Sequence, residues 1–220
     1  MWVADARRGE IIEVEAGGAI RRRGAFEGLK TISIDPAGRL YLAAGTAVYR
    51  MDSTGPTTIV DLGRSGPAAA LAVDGSGTVY AADRRGERVL RIAAGSQAPQ
   101  TLWEAGDVRI AAMAWDGFRL LVGDAKTGAV FALAPDGARG GTLAESAEDR
   151  VDALAVDPSG RFAVCDGRAR RVSLYDAEGR AIAELTLADA GLSRPSGCSL
   201  GPDGSLWMVD SEAGALVRFP

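Results

Sequence analysis

The chain has 220 residues, with 25 basic side chains against 29 acidic ones, a net charge of −4 and no histidine. That balance offers no electrostatic footprint for nucleic acid or for an anionic membrane surface, and without histidine a nucleophilic cysteine lacks its usual base. The start MWVADARRGE lacks the basic head and apolar core of a secretory signal, and no stretch approaches the roughly 18 to 20 apolar residues that span a bilayer, so a cytoplasmic address is expected.

The first element is a hydrophobic strand, WVAD, ending at Asp5, followed by GEIIEV ending at Val14. The pairing then recurs along the whole chain. A strand ending at Ala44 leads to TAVYRM at Met51, and YAAD at Asp83 leads to ERVLRI at Ile92. LVGD at Asp124 precedes GAVFAL at Leu133, VCD at Asp166 precedes RRVSLY at Tyr175, and WMVD at Asp210 precedes GALVRF at Phe219. The anchors at 5, 44, 83, 124, 166 and 210 are 39, 39, 41, 42 and 44 residues apart, which matches the period of a four-stranded propeller blade. Aligned columns support the repeat: Ile11, Val48, Val89, Val130, Val172 and Leu216 share one, and all are apolar.

The expected fold is therefore an all-β, six-bladed β-propeller forming one domain over 1–220. It consists of a partial blade 1–28, full blades 29–66, 67–106, 107–149 and 150–191, and a partial blade 192–220. Within a full repeat the strands read a (Ala69 to Val73), b (Thr78 to Ala82), c (Arg88 to Ile92) and d (Gln100 to Trp103). The a-to-b turns carry Asp35, Asp74, Asp116, Asp157 and Asp203 with a nearby glycine, which supplies positive φ while aspartate bonds the turn backbone. Three strands in each partial blade and four in each full repeat make 22, two short of a complete six-bladed ring. Three explanations stay open: a natural start upstream of Met1, a ring closed with strands absent, or closure through a second copy of the chain.

The arginine run Arg21 to Arg23 falls on the outermost strand of the first blade, where charge discourages edge pairing. Trp2, Tyr41, Tyr80 and Trp207 share a column three residues before the anchor and are expected to fill packing between blades. Cys165 and Cys198 lie in predicted strands of successive blades and read as buried free thiols. The recurrent aspartates at the anchors read as turn-locking groups, because a residue repeated in every blade seldom marks a unique site.

A unique site is expected where d-to-a and b-to-c loops gather at the channel mouth, since loops vary without disturbing the blades. The d-to-a loops contribute Glu104, Asp107 and Arg109, then Glu145, Glu148, Asp149 and Arg150 with Asp152 following, then Ser193, Arg194 and Ser196. The b-to-c loops add Arg7, Arg8, Arg84, Arg85, Arg168 and Arg170. An acidic inner rim with an arginine-bearing outer rim suits a zwitterionic or cationic small molecule or a peptide; the same residues also read as surface ion pairs.

The phrases VDALAVDPSGRFAVCD (151–166) and PSGCSLGPDGSLWMVD (195–210) resemble NHL-repeat propellers and, in the last two blades, the senescence marker protein and gluconolactonase superfamily. That resemblance implies a propeller shape shared by lactonases, phosphotriesterases, a Pictet-Spengler synthase and binding modules. In the metal-dependent members it implies a divalent cation, commonly calcium, held by a Glu, one or two Asn and an Asp. The family's Asp falls on Asp152, its Asn falls on Ala111, and its Glu would lie upstream of Met1. No asparagine occurs in the chain, whereas calcium takes six to eight oxygen ligands.

The function expected is a binding module that takes a small molecule or protein segment at the top-face mouth, with no cofactor. The alternative is a metal-dependent, lactonase- or esterase-like hydrolase with Asp152 as a calcium or other divalent-metal ligand. A third reading is metal-free chemistry by Glu104, Glu145 or Asp149, whose pKa burial would raise. Asp152 reads first as a solvated top-face acid, with a relic ligand and a general base as the other readings. The chain is expected to be a monomer or to self-associate through its incomplete terminal blades.

Overall fold

The computed structural model describes residues 1–15, 18–145, 150–187, 191–192 and 194–220. They contain 22 β-strands, numbered here in chain order, in six antiparallel sheets. The chain falls into two compact units, Met1–Glu104 and Ala105–Pro220.

The first unit holds β1 (Trp2–Asp5), β2 (Glu10–Val14) and β3 (Ile20–Ala25) as a three-stranded sheet. Two four-stranded sheets follow: β4 (Leu29–Ile34), β5 (Leu40–Ala44), β6 (Ala47–Asp52) and β7 (Gly55–Asp61), then β8 (Leu71–Val73), β9 (Val79–Ala82), β10 (Arg88–Ile92) and β11 (Gln100–Glu104). In the second unit the four-stranded sheets are β12 (Ile110–Trp115), β13 (Leu120–Asp124), β14 (Ala129–Leu133) and β15 (Arg139–Glu145), then β16 (Ala153–Val156), β17 (Phe162–Asp166), β18 (Arg171–Tyr175) and β19 (Ala181–Thr186). It ends in a three-stranded sheet of β20 (Pro195–Leu200), β21 (Leu206–Asp210) and β22 (Ala215–Phe219).

Each sheet is a meander in which sequence neighbours are hydrogen-bonded neighbours, so each repeat closes on itself locally. The strand expected at Ala69 begins instead at Leu71. Ala82 faces both Ala69 and Ala70, accepting from the N–H of Ala69 and donating to the C=O of Ala70, and this two-against-one arrangement interrupts the regular ladder. The same kind of irregularity opens β4, β12 and β20.

The core lies between successive sheets of a unit. Ile11, Val48, Val89, Val130 and Val172, five of the six residues in the apolar column, have no solvent exposure, so the repeated column is the packing seam. One seam joins β4–β7 to β8–β11 through Tyr41, Val48, Val60, Leu71 and Ile92. Another joins β12–β15 to β16–β19 through Leu121, Val130, Phe162 and Tyr175, with Phe162 stacked on Tyr175 at 5.0 Å. In the aromatic column Tyr41 and Tyr80 are buried, while Trp2 packs partly buried against a core cluster. Trp207 is half-buried in the last sheet, with the Arg218 guanidinium 5.6 Å from its ring centroid.

The arginine run behaves as edge charge. All six residues of β3 are exposed; Arg22 pairs with Glu10 at 3.4 Å, and the Arg23 Nε donates to Glu13 on the neighbouring strand at 2.6 Å. Among the described residues no helix is long and apolar enough to cross a membrane.

Candidate functional site

The anchor aspartates are structural. Asp166 takes the N–H groups of Arg168 and Ala169 on one oxygen, and Asp210 does the same for Glu212 and Ala213. Asp124 accepts from the N–H groups of Arg109 and Lys126, and Asp83 accepts from Glu87 N–H and Arg88 Nε. Each carboxylate replaces backbone partners that a tight turn leaves unsatisfied, which explains why one residue type recurs at the end of these strands.

Two of these anchored turns in the second unit frame a cleft of about 390 Å³. It is lined by Arg150 and Asp152 ahead of β16, Gly167, Arg168 and Arg170 in the β17–β18 turn, Arg194 and Ser196 at the start of β20, and Ser211 after β21. Four candidates expected from the sequence, Arg150, Asp152, Arg194 and Ser196, are thus brought together. Two further arginines, at 168 and 170, make the cleft strongly basic.

The floor is tied together by main-chain bonds. Arg194 donates its N–H to Asp210 at 3.0 Å, and its C=O accepts from the N–H of Ser211 at 3.1 Å. Gly167 donates its N–H to Asp152 at 2.8 Å. A Cβ on Gly167 would sit 2.7 Å from the Pro195 carbonyl oxygen and 3.0 Å from an Asp152 carboxylate oxygen, so glycine is required for this close approach.

The side chains divide differently. Arg150 pairs with Asp152 through Nε at 2.7 Å, so both Asp152 oxygens are engaged by N–H donors. Arg168, Arg170 and Arg194 are exposed, and among the described residues no carboxylate pairs with their guanidinium groups. Among the described residues that line the cleft, four guanidinium groups therefore face one carboxylate. Planar guanidinium forks match carboxylate or phosphate oxygens and stay charged at any physiological pH.

The remaining candidates lie elsewhere. Glu104 belongs to a separate cleft of about 370 Å³ in the first unit, where Arg64, Arg84, Arg85 and Arg88 line the wall with Asp83 and Glu87. Asp107 accepts from Lys126 Nζ through its carbonyl oxygen, and Arg109 donates its N–H to Asp124. Glu145 ends β15, and its carbonyl accepts from the Tyr175 hydroxyl at 3.5 Å. Asp149, with Glu148 and Ser193, lies outside the described residues.

The donors that the described residues place around Asp152 do not make a calcium set. Among the described residues no three carboxylate or thiol side chains converge, Asp152 is surrounded by arginines, and Ala111, where the resemblance places asparagine, carries no donor. Cys165 and Cys198 are unbridged, but the burial expected of both holds for Cys165 alone, since Cys198 is half-buried and packs against the core cluster that contains Cys165. Contact with Cys198 and complete burial hold the Cys165 thiol well above its ordinary range, so it is a poor nucleophile.

No family model and no curated protein matches the sequence. Solved structures do match. A chain of the nidogen/laminin complex superposes with a TM-score of 0.82 at 18% identity, covering 99% of this chain and 88% of that one. The fold is a six-bladed β-propeller. The calcium-binding protein regucalcin from Agrobacterium tumefaciens gives a TM-score of 0.75 at 16% identity, covering 99% and 84% of the two chains. Virginiamycin B lyase from Staphylococcus aureus gives 0.71 at 11% identity, covering 100% and 80%. These identities establish the propeller fold alone, which hosts binding and catalytic members alike.

Arg168 and Arg170 were only rim arginines in the sequence, indistinguishable from Arg7, Arg8, Arg84 or Arg85. A usable signal existed at 170. The six-residue pattern begins with Gly9, Gly128 and Gly214 in three copies and with Arg170 in the fifth.

Proposed function

We propose that this propeller is a binding module that takes a small anionic molecule in the cleft between the β16–β19 and β20–β22 sheets. The observation that carries the reading is the excess of four arginines over one aspartate, with three guanidinium groups left without a carboxylate partner among the described residues. An exposed cluster of like charge is unfavourable to the folded state, so its concentration in one walled cleft is better accounted for by a ligand than by stability. The favoured ligand is thus an anion, in place of the cationic or zwitterionic one suggested by the mixed rim.

Asp152 orients Arg150 within this site and serves as neither base nor metal ligand. The metal-dependent hydrolase alternative is disfavoured on the same ground, because a divalent cation would enter a field set by four arginines. Two unbridged thiols at one core cluster suit a reducing compartment, and a cytoplasmic address is part of this proposal.

The test is calorimetric titration with small carboxylates, inorganic phosphate, arginine as a cation and calcium, using wild type, Arg168→Ala/Arg194→Ala and Asp152→Asn. Anions alone should bind wild type. The double variant should lose roughly a hundredfold in affinity, at about 1.5 kcal/mol or more per charged hydrogen bond. Asp152→Asn should bind anions several-fold tighter, because Arg150 is then unneutralised. Calcium binding that Asp152→Asn abolishes would sink the proposal in favour of the hydrolase reading.

A further inference from the structure

Arg170 stands where three of its five sister turns use glycine. Gly9, Gly128 and Gly214 open the corresponding strands with φ of 69°, 70° and 61°, and Arg170 has φ 54°. It is the one non-glycine residue with positive φ among the described residues. In this left-handed region a Cβ crowds the backbone, so a long side chain is retained there against the preference of the turn. The main chain makes no demand for arginine: its carbonyl accepts from Leu187 N–H at 2.9 Å, a bond any residue can make. What arginine adds is an exposed guanidinium on the cleft wall, and strain of this kind concentrates at ligand-binding positions.

The cleft also shows which anion it suits. Phosphate sites commonly present free main-chain N–H groups from a helix end or a nest. Here those of Asp152, Gly167, Arg168, Arg194 and Ser211 are all donated within the fold, and Pro195 has none. Recognition is left chiefly to the guanidinium forks, because the Ser196 and Ser211 hydroxyls also donate within the fold, each to a main-chain carbonyl at 3.4 Å. Arg168 and Arg170 project from the β17–β18 turn and Arg194 from the opposite wall at β20, so unpaired charge is offered from two sides.

We propose that the ligand is a small di- or tricarboxylate and that Arg170 selects it by gripping one carboxylate while Arg194 takes another. This rests on the anion-binding reading above. The experiment titrates succinate, citrate, acetate and inorganic phosphate into wild type and Arg170→Gly, and records the thermal midpoint of both proteins. Wild type should bind succinate or citrate at least about tenfold tighter than acetate or phosphate, and Arg170→Gly should lose about tenfold for the dicarboxylate while melting no lower than wild type. Phosphate or acetate binding as tightly as succinate and citrate would overturn the ligand class and leave the anion site standing. Unchanged succinate and citrate affinity in Arg170→Gly would overturn the role of Arg170. No binding of any of the four anions would overturn the anion-binding reading itself.

Discussion

The two arginine-lined clefts, one in each unit, are built from the same turn and differ in how their charge is balanced. In the first unit Arg88 pairs with Asp83 at 3.1 Å and Arg85 reaches Glu87 at 3.9 Å, so three carboxylates, counting Glu104, offset four arginines. In the second unit, among the described lining residues, one carboxylate offsets four. The turns differ as well: four residues after the anchor aspartate the first-unit turn carries Glu87, preceded by Gly86 at φ 70°, where the second-unit turn carries Arg170 at φ 54°. A neutralised cleft on a relaxed turn is what a repeat adopts for its own stability. An uncompensated cleft on a strained turn is what the proposed anion site would account for.

The sharpest way to break the contrast is at the residue following each anchor aspartate. Gly167→Ala should destabilise the protein by about 1–3 kcal/mol in denaturant melts, since its Cβ would meet the Pro195 carbonyl oxygen at 2.7 Å. Arg84→Ala, the counterpart in the first unit, should change stability by no more than about 0.5 kcal/mol.

A smaller and opposite pair of effects is expected at the left-handed positions. Gly86→Ala should cost about 1 kcal/mol, and Arg170→Gly should be neutral or gain up to about 1 kcal/mol, because relief of strain offsets the greater freedom of the unfolded chain. Equal loss from both substitutions would show that Arg170 is held by packing rather than retained under strain.

The smallest effect is shared by the two units and serves as their common baseline. Hydrogen bonding from Arg50, then from Thr57, lowers the Asp52 carboxyl to about 2 in the first unit. The Ser205 side chain and main chain, with Arg218, lower that of Asp203 to about 2 in the second. A carboxyl lowered on folding adds stability above its unfolded value, near 3.9, and that contribution disappears as pH falls through the folded value. Acid titration of stability should therefore show a loss between about pH 4 and pH 2. It should shrink in high salt because Asp203 is exposed and Asp52 is only half-buried, and it should be reduced by either Asp52→Asn or Asp203→Asn.

Much of the fold could be read from local chemistry. The β10 strand runs from Arg88 to Ile92 as expected, and the 22 strands expected from the repeat are present among the described residues. Both features come from short-range rules: alternation of apolar residues, and aspartate with glycine in turns. The start of β8 at Leu71 was not legible, because an irregular register depends on which partner faces the strand. The site was legible only in part. Arg150, Asp152, Arg194 and Ser196 could be nominated from their loops, yet Glu104, nominated by the same logic, belongs to the other cleft.

The sequence by itself determined the repeat, its period, the apolar seam and the role of the anchor aspartates, since each depends on neighbours a few residues away or on one column repeated six times. Only the tertiary structure decided which arginines share a cleft. Arg85 meets Glu87 two residues away in its own turn, whereas Arg168 and Arg170 join Arg150 and Arg194 only because the β17–β18 turn and the starts of β16 and β20 meet in space. Coulomb energy follows distance in space rather than separation along the sequence.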